Sequence, residues 1–216
     1  MPPLLLTGRD LTIDQVVEVA RGRRPVALDA DAADRMRGSR AVIERLVAEG
    51  ATAYGVTTGF GDLADVRIDP ARTAELQRNL VRSHAAGVGE PLPTDVVRAM
   101  LLLRANALAV GLSGVRVEVV ELLIGMLNAA VHPVIPSRGS LGASGDLAPL
   151  AHLALVVIGE GEATVDGAGP GPGEVALRRA RLAPVALEAK EGLALLNGTQ
   201  LMSAIGALAH HDALRL

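Results

Sequence analysis

Apolar residues recur every three to four positions along most of the chain, which is the spacing of an amphipathic helix. In residues 32–49, for example, Met36, Ile43 and Val47 fall on one face, and Gly50 follows where the helix should end. The same pattern predicts helices over residues 12–22, 32–49, 70–86, 94–130, 146–159 and 201–214. The long pattern contains glycines at positions 111 and 114, so we expect that helix to bend or break there.

Polar residues at three of the predicted helix starts support these boundaries. Thr12 and Gln15 have the spacing of a capping box, in which each side chain bonds the backbone of the other residue. Asp69 and Asp146 stand where a carboxylate can cap the helix that follows. The sequence therefore predicts helix starts near residues 12, 70 and 146.

The remaining segments predict little regular structure. Short strands are expected over residues 25–28 and 162–166, and residues 166–173 are so rich in Gly and Pro that we expect a loop. Half of the 216 residues are hydrophobic, but the chain has one Tyr and one Phe, so its core must be built from Leu, Val, Ile and Ala. The predicted fold class is mainly α, a helical domain with a few short β-strands.

Composition argues against several classes of protein. The net charge of −3 and the scattered arginines give no basic surface for nucleic acid. The absence of cysteine excludes disulfides and thiolate metal sites, and the histidines have no metal-ligand spacing, so no metal is expected. We assign no chemistry to four of the histidines, which are His132, His152, His210 and His211.

No membrane segment is expected either. The most apolar stretch, residues 100–112, is shorter than the roughly 20 residues that span a bilayer and contains Arg104 and Asn106. The first residues lack the basic, apolar and small-residue regions of a secretory signal. The expected location is the cytoplasm.

Residues 139–149 carry the most specific chemistry in the chain. They read Gly-Ser-Leu-Gly-Ala-Ser-Gly-Asp-Leu-Ala-Pro. If the amide nitrogen of Gly145 attacks the carbonyl carbon of Ala143, a five-membered ring closes. Loss of one water from the ring and of a second water that contains the Ser144 hydroxyl then leaves a methylidene-imidazolone. Gly145 allows the sharp turn, Ala143 is small, and Ser144 supplies the leaving group. This tripeptide can thus become an electrophile.

Residues 139–149 also allow plainer interpretations. Gly, Ala and Ser are common in turns that introduce helices, so Ala-Ser-Gly alone is weak evidence. The serine elbow of hydrolases requires Gly-x-Ser-x-Gly, but Gly145 follows Ser144 directly. A phosphate-binding loop requires a Gly-Lys pair, and the single lysine is Lys190. The ring-forming interpretation therefore depends on a longer match.

That longer match exists, because residues 139–152 closely resemble the cofactor-forming signature of the aromatic amino-acid ammonia-lyases. Residues 54–61, Tyr-Gly-Val-Thr-Thr-Gly-Phe-Gly, resemble the same family. So do residues 79–89, Asn-Leu-Val-Arg-Ser-His-Ala-Ala-Gly-Val-Gly, and residues 191–200, Glu-Gly-Leu-Ala-Leu-Leu-Asn-Gly-Thr-Gln. The resemblance runs from about Leu4 to the end of the chain.

The resemblance implies a role for single residues whose local sequence favours a plainer one. Tyr54 alone would be a packing residue, but in the family it removes the β-proton of the substrate. His84 alone would be structural, but the Ser83–His84 pair resembles the version that selects an imidazole ring. Asn197 alone would be a turn residue that tolerates left-handed geometry, but in the family its amide donates to the carbonyl oxygen of the methylidene-imidazolone. The resemblance also gives Asp146 a part in ring closure.

The implied reaction is elimination of ammonia from L-histidine to give trans-urocanate. The methylidene-imidazolone formed from Ala143, Ser144 and Gly145 is the only cofactor that the resemblance implies. Two alternatives stay open: a tyrosine or phenylalanine ammonia-lyase or a related aminomutase, and an inactive interaction fragment of the lyase fold.

Length is the main departure from the family, whose members are usually more than twice as long and form tetramers. The second half of those proteins contains a long helical bundle and further residues of the pocket. We therefore interpret residues 1–216 as the N-terminal, cofactor-bearing part of an ammonia-lyase, with the C-terminal helical half absent. The expected partners are L-histidine and either other copies of the chain or a C-terminal partner chain.

Overall fold

The computed structural model describes residues 1–58, 72–141 and 145–216. Its helices are α1 Ile13–Ala20, α2 Ala30–Ala48, α3 Thr73–His84, α4 Thr94–Ala109, α5 Val117–Asn128, α6 Leu147–Val157, α7 Gly173–Arg179, α8 Glu191–Leu196 and α9 Gln200–Ala213. Its strands are β1 Leu4–Leu6, β2 Val26–Leu28, β3 Val88–Pro91, β4 Val131–Pro133, β5 Pro136–Arg138, β6 Glu162–Val165 and β7 Gly171–Pro172. The described fold is mainly helical, as the sequence predicts.

Local sequence signals account for most helix ends. The capping box at the start of α1 has both bonds, from the Thr12 amide to Gln15 Oε1 at 3.0 Å and from the Gln15 amide to Thr12 Oγ1 at 3.3 Å. The predicted break in residues 94–130 is confirmed, since α4 and α5 are separate helices and Gly111 has a φ of +84° between them. The predicted cap at Asp69 lies outside the described residues.

The strands form three small sheets. β1 and β2 pair in parallel, β3 pairs with β5 in antiparallel fashion, and β4, β6 and β7 form the third sheet in that order. The expectation of an unbroken loop over residues 166–173 is wrong, because Gly171 and Pro172 pair with β6 as β7. Backbone pairing with an existing strand is enough to order two residues, whatever their turn propensity.

Six of the nine helices in the described residues pack in two groups of three. Helices α1, α4 and α9 pack on one another, and so do α3, α6 and α8. α5 contacts α4 and α6, and one large apolar core runs through both groups. The turn at residues 197–199 joins α8 to α9, so it leads from one group to the other.

The described residues contain neither a membrane-spanning helix nor a cluster of metal ligands. None of the helices in the described ranges has the length and apolar character needed to cross a bilayer. Within the same ranges, His, Asp and Glu side chains do not gather in groups of three or more that could hold a metal ion.

Candidate active site

Three helix ends that carry predicted site residues belong to the same helix group. Ser83 and His84 end α3, Gly145 and Asp146 precede α6, and Asn197 follows α8. Helices α3 and α8 are also joined by a buried hydrogen bond of 2.8 Å from the Gly192 amide to Gln77 Oε1. The packing of α3, α6 and α8 therefore gathers residues that are more than 100 positions apart in sequence.

A backbone contact joins two of these helix ends at Gly145 and Gly198. The two residues form an isolated parallel bridge, and the Asp146 amide donates to the Gly198 carbonyl at 2.8 Å. Gly145 has a φ of +87°, and a Cβ at this position would overlap with the Gly198 carbonyl oxygen. Only glycine fits this approach without strain. We call this contact the Gly145–Gly198 junction; Ala143 and Ser144 lie outside the described residues.

Asp146 stabilises the junction, but not in the way the sequence predicts. Its side chain makes no capping bond to α6. Instead Oδ1 accepts from the Ser140 hydroxyl at 2.7 Å, and Oδ2 accepts from the Met202 amide at 3.0 Å in the first turn of α9. The expected cap of α6 is therefore wrong, because both oxygens of this fully buried carboxylate are held by other groups. Asp146 caps a helix that begins 54 residues later.

Ser83 and His84 are bonded to each other and to their own helix. His84 Nδ1 lies 2.9 Å from the Leu80 carbonyl oxygen and 3.0 Å from Ser83 Oγ. Because a carbonyl oxygen only accepts, the bond to Leu80 requires a proton on Nδ1 of His84. In the neutral tautomer that carries this proton, Nε2 of His84 is an acceptor for an N–H group.

His152 holds the segment after His84 in place, a role that the sequence did not indicate. Its Nε2 accepts from the Gly87 amide at 3.1 Å, so it ties the turn after His84 to α6. Burial lowers the pKa of His152, which favours the neutral ring that this bond requires. The antiparallel pairing of β3 with β5 also joins the segment after His84 to the segment that leads to Ser140. No local signal links these residues, since 65 positions separate Gly87 from His152.

Asn197 and Tyr54 both present exposed side chains. Asn197 has extended backbone angles, with φ −83° and ψ 104°, so the left-handed turn geometry considered for it is wrong. Tyr54 is 59% exposed on a turn, and its neighbour Val56 packs with Ile43 and Ala189. That small apolar cluster connects the Tyr54 turn to α2 and to the segment before α8.

A buried ion pair anchors the start of α8. Glu191 is fully buried, and its carboxylate accepts from the Arg116 guanidinium at 2.9 and 2.7 Å and from the Glu188 amide at 2.8 Å. Burial acts to raise the pKa of Glu191, but the bonds from Arg116 and the backbone outweigh it, so the pKa is lowered. The helix that leads to Asn197 is thus fixed at its first residue by a charged network.

The family model for aromatic amino acid lyases matches residues 11–216. A histidine ammonia-lyase from Myxococcus xanthus is 57% identical over 207 residues, which are 96% of this chain and 41% of that protein. The solved structure of a histidine ammonia-lyase from Trypanosoma cruzi has a TM-score of 0.89 and 41% identity, covering 96% of this chain and 40% of that one. A tyrosine aminomutase from Streptomyces globisporus has a TM-score of 0.91 and 40% identity, covering 99% and 40%.

These matches extend over almost the whole chain and agree with its helical fold. The chain belongs to the aromatic amino acid lyase family. It spans 41% of the length of the Myxococcus xanthus relative.

Proposed function

We propose that this chain is the N-terminal part of a histidine ammonia-lyase, which converts L-histidine to trans-urocanate and ammonia. The observation that carries the proposal is the Gly145–Gly198 junction, which joins the residues before α6 to the turn after Asn197. Helices α6 and α8 both pack against α3, which ends with Ser83 and His84. The 57% identity to the Myxococcus xanthus relative supports the same reaction.

The residues around Gly145 fit a methylidene-imidazolone made from Ala143, Ser144 and Gly145. Closure forms a bond from the Gly145 nitrogen to the Ala143 carbonyl carbon, whose oxygen leaves as water with the hydrogens of the Ser144 and Gly145 amides. The Ser144 hydroxyl leaves as a second water with the Ser144 α-hydrogen. The positive φ of Gly145 and the space that a Cβ would fill support this choice of residues. When formed, the group supplies an electron-poor alkene that accepts the substrate amine.

The chain's own side chains supply binding and proton transfer. His84 presents Nε2 as an acceptor for an imidazole N–H, and Ser83 holds the His84 ring in that orientation. Tyr54 removes the β-proton of the substrate as general base. The Asn197 amide donates to the carbonyl oxygen of the methylidene-imidazolone, where negative charge develops. Asp146 assists ring closure by fixing residues 140 and 202 on either side of the junction.

The whole protein is proposed to be a cytoplasmic homotetramer that needs C-terminal residues to complete its pocket. Those residues would come from the rest of the same polypeptide or from a partner chain. We therefore expect the 216-residue chain alone to have little or no lyase activity.

The experiment compares this chain with a chimera that adds the part of the Myxococcus xanthus relative lying beyond the match. We expect the chimera to release urocanate from L-histidine, and its mass to be lower than the unmodified sequence by two waters in the peptide with Ser144. Ser144→Ala is the matched control and should remove both signals. A chimera with an unaltered mass and no turnover contradicts the proposal.

Two further outcomes separate the alternatives. Faster turnover of tyrosine or phenylalanine than of histidine would favour a tyrosine or phenylalanine ammonia-lyase or a related aminomutase. Clear urocanate formation by the 216-residue chain alone would overturn its proposed incompleteness.

A further inference from the structure

Arg104 is a buried cation close to the Gly145–Gly198 junction. It lies on α4 and is 4% exposed. Within the described residues its side chain makes one hydrogen bond, from Nη1 to Gln200 Oε1 at 3.0 Å, and its Nε has no hydrogen-bond partner. Burial lowers the pKa of Arg104 to about 10, with no carboxylate acting against it.

The Arg104–Gln200 pair packs directly against Gly198. A Cβ built on Gly198 would overlap with Arg104 Nη1 and Gln200 Oε1. Gly198 thus lets the pair lie against the backbone that bridges Gly145 and accepts from the Asp146 amide. The pair holds the turn at residues 197–199 from the side of α4 and α9.

Packing between α4 and α9 does not require this charge. The neighbouring contact positions on the two helices are apolar, with Leu101 and Leu108 on α4 and Leu201 and Leu208 on α9 all buried. Replacing buried charged partners together by apolar residues of similar size is often neutral or stabilising. Burial, and then the charge of Arg104, lower the pKa of Lys190, so Arg104 also acts on a second cation. We therefore expect an apolar pair in place of Arg104 and Gln200 to be no less stable than the parent.

We propose that Arg104 is a positioning residue for ring closure, which holds Gly198 and the Asn197 turn against Gly145 through its bond to Gln200. The inference rests on the proposed function, since it assigns a part in forming the methylidene-imidazolone. Arg104 acts through the backbone of residues 197–199 and has no contact with substrate in this scheme. A displaced turn would move the Gly198 carbonyl that fixes the Gly145 and Asp146 backbone.

The test measures ring closure directly in the 216-residue chain and in the chimera, as the fraction of molecules with the two-water mass deficit at set times after purification. In the double variant Arg104→Met, Gln200→Leu, which leaves no lone buried acceptor, we expect closure to slow by about tenfold or more. Its thermal midpoint should stay at or above that of the parent. Gly198→Ala, which displaces the pair without changing charge, should slow closure as well.

Gln200→Glu is the conservative control, because a carboxylate accepts the same bond from Arg104. We expect closure within about twofold of the parent, since a retained bond keeps the geometry. If Arg104 has only a structural role, the double variant should be less stable but should form the ring at the parent's rate. That result overturns the inference. A parent that never closes in either protein contradicts the proposed function itself and removes the basis of the inference.

Discussion

Helix α4 contains two buried arginines whose surroundings differ sharply. Arg98 is 3% exposed and donates to the carbonyls of Val19, Ala20 and Leu127 and to His132 Nε2, at 2.8 to 3.2 Å. Arg104 is 4% exposed, and in the described part of the chain it donates to Gln200 alone. Arg98 therefore bonds the unpaired carbonyls at helix ends, whereas helix packing alone gives no reason for a charge at Arg104.

The acceptors of Arg98 compensate for the loss of water around its buried guanidinium. Val19 and Ala20 end α1, and Leu127 belongs to the last turn of α5, so these carbonyls lack partners within their own helices. The negative ends of two helix dipoles also face the guanidinium. Arg98 thus satisfies groups that would otherwise be buried without hydrogen bonds.

Removing each arginine should give the largest difference in stability between the two positions. Arg98→Met leaves several buried acceptors unsatisfied, so we expect the free energy of unfolding to fall by about 4 kcal/mol. The Arg104→Met, Gln200→Leu variant should change it by less than about 1 kcal/mol. Urea unfolding of the two variants and the parent measures both values. Equal losses would show that the two arginines serve the fold alike.

Lowering the pH should weaken the Arg98 end of α4 selectively. Burial, then Arg98 and Arg23, lowers the pKa of His132 from 6.5 to about 4, so the folded protein keeps the ring neutral while the unfolded chain protonates near 6.5. Stability is therefore complete above pH 6.5 and falls towards pH 4, by roughly 3 kcal/mol in all. Urea unfolding at several pH values measures this slope.

His132→Gln is the matched control, since its amide oxygen accepts from Arg98 at every pH. It should flatten the slope between pH 6.5 and 4. An unchanged slope would assign the pH dependence to other groups.

Loss of Asp146 should have a smaller effect, at the junction beside Arg104. Asp146→Ala removes the acceptor of the Ser140 hydroxyl and of the Met202 amide, so we expect unfolding to become easier by about 2 kcal/mol. Ser140→Ala, which removes one of those two bonds, should cost about 1 kcal/mol. Urea unfolding checks both; an Asp146→Ala protein as stable as the parent would contradict this account of the junction.

Sequence reasoning predicted the elements that have periodic patterns, and the structure confirms helices such as α2 and the break between α4 and α5. It did not find α8 or β3, because six and four residues are too few to show a period. It named residues of the candidate site through local motifs. The bonds from Met202 to Asp146, from Gly87 to His152 and from Arg104 to Gln200 could not be predicted, since each joins residues more than 50 positions apart and is set by helix packing.

The pairing of β3 with β5 bears on how substrate choice can change in this fold. The ladder joins the strand after His84 to the strand before Ser140 by main-chain bonds, so its geometry does not depend on which side chains occupy positions 83 and 84. Under the proposed function, exchanging those two residues to redirect specificity would leave this main-chain pairing intact. Substrate recognition could then diversify while the backbone that leads to the ring-forming residues stays the same.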